Sequence, residues 1–226
     1  MLETIEIETA PNPRFSVVWL HGLGADGGDF EPVVPELVRR AWPALRFVFP
    51  HAPKRAVTLN GGMEMRAWYD ITGPRLEDRQ DAAGIQASIH QVSALLDRET
   101  ARGVPPERQF LIGFSQGAAI ALSTLVRRTR LLAGVVALSG YLPLADQARS
   151  EASEISRQIP VFIGHGSLDP MVAMALGASS RDWLTHQRYS VEWHSYLMAH
   201  AVCADEIADL GNFLQHRFAA AASAHA

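Results

Sequence analysis

The clearest capacity for chemistry in this chain lies in Phe110-Leu111-Ile112-Gly113-Phe114-Ser115-Gln116-Gly117-Ala118-Ala119. An apolar run ending at Gly113 predicts a strand, and the small residues after Gly117 predict a helix able to approach a sheet closely. The turn between them lifts Ser115 above the sheet, and Gly113 and Gly117 leave room for it. A serine hydroxyl is a weak nucleophile until a base takes its proton, so this serine requires a histidine and an orienting carboxylate. On a strand–turn–helix of this kind they follow in the order acid, then histidine, each just past a later strand.

Three histidines come after Ser115 in suitable places. His165, in Gly164-His165-Gly166, ends a strand pattern and is expected to support the loop carrying the acid. His194 lies inside a strand pattern and is expected to be structural. His200 falls in the loop between the last strand and the last helix, which makes it the base. Asp169 follows the preceding strand and is the natural acid, whereas Asp182 falls on a helical stretch and Asp205 in the first turn of the last helix. The oxyanion of acyl transfer needs two backbone N–H donors. Gln116, directly after the nucleophile, supplies one. Leu23, in the glycine-rich loop His21-Gly22-Leu23-Gly24-Ala25-Asp26-Gly27-Gly28, supplies the other. That loop has the G-x-G-x-x-G spacing at Gly22, Gly24 and Gly27 but lacks the lysine of a phosphate-binding loop, and a phosphate-binding reading receives little weight.

These groups must be positioned by strands and helices that alternate along the chain. Phe15–Leu20, Leu45–Phe49, Phe110–Ile112, Gly134–Leu138, Pro160–Ile163 and Tyr189–Tyr196 are near-continuous apolar runs, which suit strands buried on both faces of a parallel sheet. Ile85, Ile89, Val92 and Leu96 recur at helical spacing within Asp81–Ala101, and Ile207, Leu210, Leu214 and Phe218 mark a last helix. The expected class is α/β, a mostly parallel, doubly wound sheet flanked by helices, in one domain spanning 1–226. The alanine-rich tail from about 219 receives no function.

The 226 residues are 48% apolar and 19% charged, with a formal net charge of −4. This is ordinary globular composition, and it gives no basic footprint for nucleic acid. One cysteine, Cys203, excludes an internal disulfide and points to a reducing compartment. Met1–Pro13 is acidic and unlike a secretory signal, and no apolar run approaches bilayer length. A cytoplasmic protein is expected. No heptad or interface motif demands assembly, and a homodimer is compatible with the sequence.

With these residues in place, the chain resembles the phospholipase/carboxylesterase family of the α/β-hydrolase fold, which includes bacterial carboxylesterases and acyl-protein thioesterases. The resemblance runs from about Phe15 to Phe218. It rests on Leu20–Gly27, Phe49-Pro50-His51-Ala52-Pro53, Ala67-Trp68-Tyr69-Asp70, Gly113–Gly117, Leu138-Ser139-Gly140 and His165-Gly166-x-x-Asp169. It implies hydrolysis of carboxylic esters of small to medium acyl chains, or of thioesters or lysophospholipids, through an acyl-enzyme and without metal or organic cofactor. It assigns Ser115, Asp169 and His200 the same roles as the residue chemistry does. It further implies that Met63, Met65, Trp68 and Ile71, in a glycine- and methionine-rich segment, line an acyl pocket, where methionines adapt to irregular apolar shapes. The chain departs from the family at Ala199, commonly glycine, and at Ala173, often proline. A reading of another class, a non-catalytic small-molecule binder on the same scaffold, is opposed by the complete serine, acid and histidine set.

Overall fold

In the computed structural model, which describes residues 1–223, the apolar runs form the strands of one seven-stranded sheet. In chain order the strands are β1 (Thr4–Glu8), β2 (Phe15–Leu20), β3 (Leu45–Pro50), β4 (Lys54–Val57), β5 (Met63–Arg66), β6 (Gln109–Phe114), β7 (Gly134–Leu138), β8 (Val161–Gly166) and β9 (Val191–Tyr196). The helices are α1 (Val34–Leu37), α2 (Ala82–Ala101), α3 (Gln116–Val126), α4 (Ala145–Glu151), α5 (Met174–His186) and α6 (Ala204–Ser223). The large sheet has the order β1-β3-β2-β6-β7-β8-β9, and β4 and β5 form a separate hairpin. All its pairings are parallel except that of β1 with β3.

Alternation along the strands divides the core. In β2, Val18 and Leu20 face α2 and α3, while Phe15, Val17 and Trp19 join the layer containing α6. The predicted helical stripes behave accordingly. Ile85, Ile89, Val92 and Leu96 of α2 pack into the first layer, and Ile207, Leu210, Leu214 and Phe218 of α6 into the second. Asp81 caps α2, its side chain accepting the Gly84 N–H. Every residue of α3 is buried, which is why that helix is so rich in alanine.

Strand β1 and the β4–β5 hairpin were among the elements with no sequence expectation. Strand β1 alternates Ile5 and Ile7 toward the core with glutamates that meet arginines: Glu6 pairs with Arg98 and Arg102, and Glu8 with Arg46. Arg46 also reaches the fully buried Glu99 of α2 at 2.9 Å, so an ionic cluster closes this edge of the sheet. The β4–β5 hairpin has no apolar run and turns through Gly61 and Gly62, both at positive φ. The alanine-rich tail continues α6 to Ser223, and residues 224–226 lie outside the described chain. No helix among the described residues is long and apolar enough to cross a membrane.

One buried charge carries a prediction. Glu206, in the first turn of α6, is wholly inaccessible and lies against Gly164 of β8, with neither carboxylate oxygen hydrogen-bonded. Burial pushes its pKa up to about 8. A carboxyl that binds its proton more tightly when folded stabilises the fold most at acid pH, and that contribution declines as pH rises from its ordinary value toward 8. Glu206→Gln is therefore expected to raise the thermal unfolding midpoint at about pH 8, with a gain that shrinks toward about pH 5. A gain equal at both pH values would contradict this account.

Candidate active site

Every strand of the β2-β6-β7-β8-β9 run delivers a loop to one place, the carboxyl edge of the sheet, where open α/β folds hold their ligands. Strand β6 ends directly before Ser115, whose backbone lies at φ 54° and ψ −118°. This strained conformation is held by neighbours on three sides. The Ser115 N–H donates to the Leu138 carbonyl of β7 at 2.9 Å. A Cβ on Gly113 would collide with the Gly117 carbonyl, and one on Gly117 with the carbonyls of Leu20 and His21.

The three sequence-expected side chains meet in line. His200 Nε2 is 2.8 Å from Ser115 Oγ, and His200 Nδ1 is 2.7 Å from Asp169 Oδ2. Asp169 Oδ1 accepts the N–H groups of Met171 and Val172 at 2.8 and 2.9 Å, which fixes the carboxylate. An ionised carboxylate only accepts, so Nδ1 carries the imidazole proton and Nε2 presents its lone pair to the serine hydroxyl. The loops carrying acid and base touch back to back at Gly166, where a Cβ would strike the carbonyls of Met198 and Ala199. Ala199 itself is exposed and does not border the cleft, so its methyl does not narrow it.

The other candidates stand outside the relay, although His165 Nε2 comes within 3.7 Å of Asp169 Oδ2. His165 is fully buried at the end of β8, its Nε2–H donating to the Val172 carbonyl at 2.9 Å, which braces the acid loop. His194 stacks on Phe162 within β9. Asp182 pairs with its neighbour Arg181 on α5, and Asp205 falls in the first turn of α6.

Leu23 and Gln116 border the same cleft as Ser115 and His200. Gln116 opens α3, so its N–H is among those a helix leaves unpaired. The Leu23 N–H belongs to the Gly22–Leu23 peptide, and His21 sets that peptide's orientation. His21 Nε2 accepts the Ala52 N–H at 3.0 Å, so the proton is on Nδ1, which donates to the Gly22 carbonyl at 2.7 Å. Burial lowers the His21 pKa to about 4, keeping this tautomer neutral. Because a peptide is planar, fixing its carbonyl aims its N–H. Sequence reasoning gave His21 no role of its own. It also missed the Gln116 side chain, which accepts from the Trp68 N–H at 2.7 Å and donates to the Tyr69 carbonyl at 2.8 Å.

The expected pocket needs correction. Of Met63, Met65, Trp68 and Ile71, only Ile71 lines the cleft. Met63 projects into solvent from the hairpin, and Met65 lies behind the glycine-rich loop near Gly24. Trp68 is wholly buried beneath that loop, its Nε1–H bonded to the His21 carbonyl at 2.9 Å. The walls are instead formed by Leu59, Tyr69, Pro74, Leu76, Phe114, Tyr141, Met171 and Val172, around a volume of about 410 Å³.

The model of the phospholipase/carboxylesterase family matches residues 3–218. The chain belongs to that family. It is 36% identical over 206 residues to acyl-protein thioesterase 1 of Yarrowia lipolytica, covering 88% of this chain and 90% of the relative. Among solved structures it is similar to Arabidopsis thaliana SOBER1, with 29% identity, a TM-score of 0.86, and coverage of 90% and 99% of the two chains. Zea mays acyl-protein thioesterase 2 is similar too, with 28% identity, a TM-score of 0.83, and coverage of 96% and 100%.

Two outcomes are expected of this geometry. Ser115→Ala should lower turnover of a chromogenic butyrate ester by about a thousandfold or more, and retention of a tenth would exclude Ser115 as nucleophile. His21→Ala should lower kcat by roughly ten- to a hundredfold with less effect on KM. His21→Asn, whose amide can still donate to the Gly22 carbonyl, should recover part of the loss. Equal losses in both variants would contradict the orienting role.

Proposed function

We propose that this protein is a carboxylesterase that cleaves esters or thioesters of small to medium acyl groups through an acyl-enzyme on Ser115. The observation that carries this reading is the continuous relay from Ser115 Oγ through the His200 imidazole to Asp169, at 2.8 and 2.7 Å. In the proposed reaction Ser115 Oγ attacks the acyl carbonyl while His200 Nε2 takes the hydroxyl proton. Asp169 holds the imidazolium, and the N–H groups of Leu23 and Gln116 receive the negative oxygen of the tetrahedral intermediate. Collapse breaks the bond to the alcohol or thiol, which leaves with the proton from His200. Water then donates a proton to His200 and attacks the acyl-serine, and the second collapse releases the acid and restores Ser115.

Thioesters enter because the relatives include acyl-protein thioesterases. The cleft supports either leaving group, since its apolar walls recognise the acyl side. The proposed chemistry calls on no metal. The same reading takes the chain as one domain, with a cytoplasmic site of action suggested by its single cysteine and a homodimer left to sedimentation.

Matched oxygen and thiol esters of one acyl group provide the test. Acylation of Ser115 is expected to give measurable kcat/KM on at least one of the two, together with stoichiometric labelling by a fluorophosphonate. Absence of labelling, with ligand binding retained, would favour a non-catalytic binder on this scaffold.

A further inference from the structure

Beyond the catalytic cleft of about 410 Å³ lies a second cavity of about 540 Å³, between α4 and α5. Its lining sets the apolar side chains of Leu142, Leu144, Leu176 and Trp183 beside polar ones, Glu77 and Asp146 among them. Among the described residues, Tyr141 alone borders both spaces. Its ring is almost wholly buried, directly after the Ser139-Gly140 turn that packs on the nucleophile helix.

The ring is held from both sides. The Tyr141 hydroxyl donates to the Leu76 carbonyl at 3.3 Å and accepts from the buried Tyr69 hydroxyl at 3.1 Å, so each phenol proton has one acceptor. The same Leu76 carbonyl accepts from Gln80 Nε2 at 3.1 Å, while Gln80 Oε1 accepts the Leu144 N–H at 2.7 Å. Gln80 thereby ties the loop over the cleft to the start of α4. Only a narrow space of about 10 Å³ remains between loop and ring. An acyl chain that grows from Ser115 toward Tyr141 meets a hydrogen-bonded wall, with a further, partly apolar space on its far side.

We propose that Tyr141 is the partition that sets the longest acyl chain this site accepts, and that the cavity between α4 and α5 is a latent extension of the acyl path. The proposal rests on the acyl-transfer reading above and adds its chain-length limit. For each methylene that the cleft buries, kcat/KM should rise about fourfold, the equivalent of ~0.8 kcal/mol. The rise should stop where the chain reaches the ring. Removing the ring joins the two spaces and moves the stop to longer chains, whereas removing the hydroxyl alone leaves the ring in the way.

The experiment is a series of p-nitrophenyl esters from acetate to palmitate, hydrolysed by the wild type, Tyr141→Phe, Tyr141→Leu and Tyr141→Ala. Each rate is normalised to acetate hydrolysis by the same variant and to its fluorophosphonate-reactive fraction. The wild type should show a break in the series, with Tyr141→Phe breaking at the same length. Tyr141→Ala should raise the laurate-to-butyrate ratio about tenfold or more by burying at least two further methylenes. Tyr141→Leu should move in the same direction, and it decides the matter if the alanine variant does not fold. A wild-type series that climbs steadily to palmitate, or a break unmoved in a fully labelled alanine or leucine variant, overturns the partition. A wild type that hydrolyses no ester, acetate included, overturns the acyl-transfer reading instead.

Discussion

At Ser115 the chain is forced to φ 54° with a side chain that disfavours it, and close contacts at Gly113, Gly117 and Gly140 keep it there. Strand β6 and helix α3 meet so closely that neither Gly113 nor Gly117 has space for a Cβ. Gly140, after β7, is similarly confined by Ala118 and the Ser115 carbonyl. The strain is therefore borne by three adjacent strands and a fully buried helix rather than by the turn itself. The consequence is a hydroxyl that borders the cleft with the unpaired N–H of Gln116 directly behind it, the pairing that acyl transfer requires.

Around that fixed point the site separates histidines by environment. His21 and His165 are buried, and desolvation lowers the pKa of each, so both remain neutral braces with one backbone acceptor apiece. His200 is partly exposed at the cleft and faces a carboxylate on one side and the serine on the other. One residue type thus supplies rigid orientation at two positions and, in the proposed reaction, proton transfer at a third. The aspartate is held by two backbone N–H groups, which leaves Oδ2 free to orient the imidazole.

The doubly wound sheet was legible in the sequence because strands buried on both faces leave unbroken apolar runs. The ends of β2 and β7 coincide with the expected residues for that reason. The Ser115, Asp169 and His200 positions were legible because chain order on such a sheet restricts where a base and an acid can stand. Strand β1 was missed because an edge strand exposes one face, and its glutamates read as an acidic leader until Arg46, Arg98 and Arg102 are seen beside them. The pocket was misread for a related reason. Met63 and Met65 are apolar but belong to a hairpin whose outward side faces solvent, while the walls Leu59, Leu76, Tyr141 and Met171 come from four separate segments. Only tertiary structure brings these together, although Tyr69 and Tyr141 each lie within or beside a family block.

The central claim is that Ser115 carries the acyl group between the two halves of the reaction. Acid quenching of the protein within milliseconds of mixing with a slowly deacylating ester, followed by mass spectrometry of its peptides, tests this most directly. The account predicts the mass of one acyl group on the peptide containing Ser115, and none on that peptide once deacylation is complete. Ester turnover with Ser115 unmodified, or with the acyl group on another residue, would contradict it.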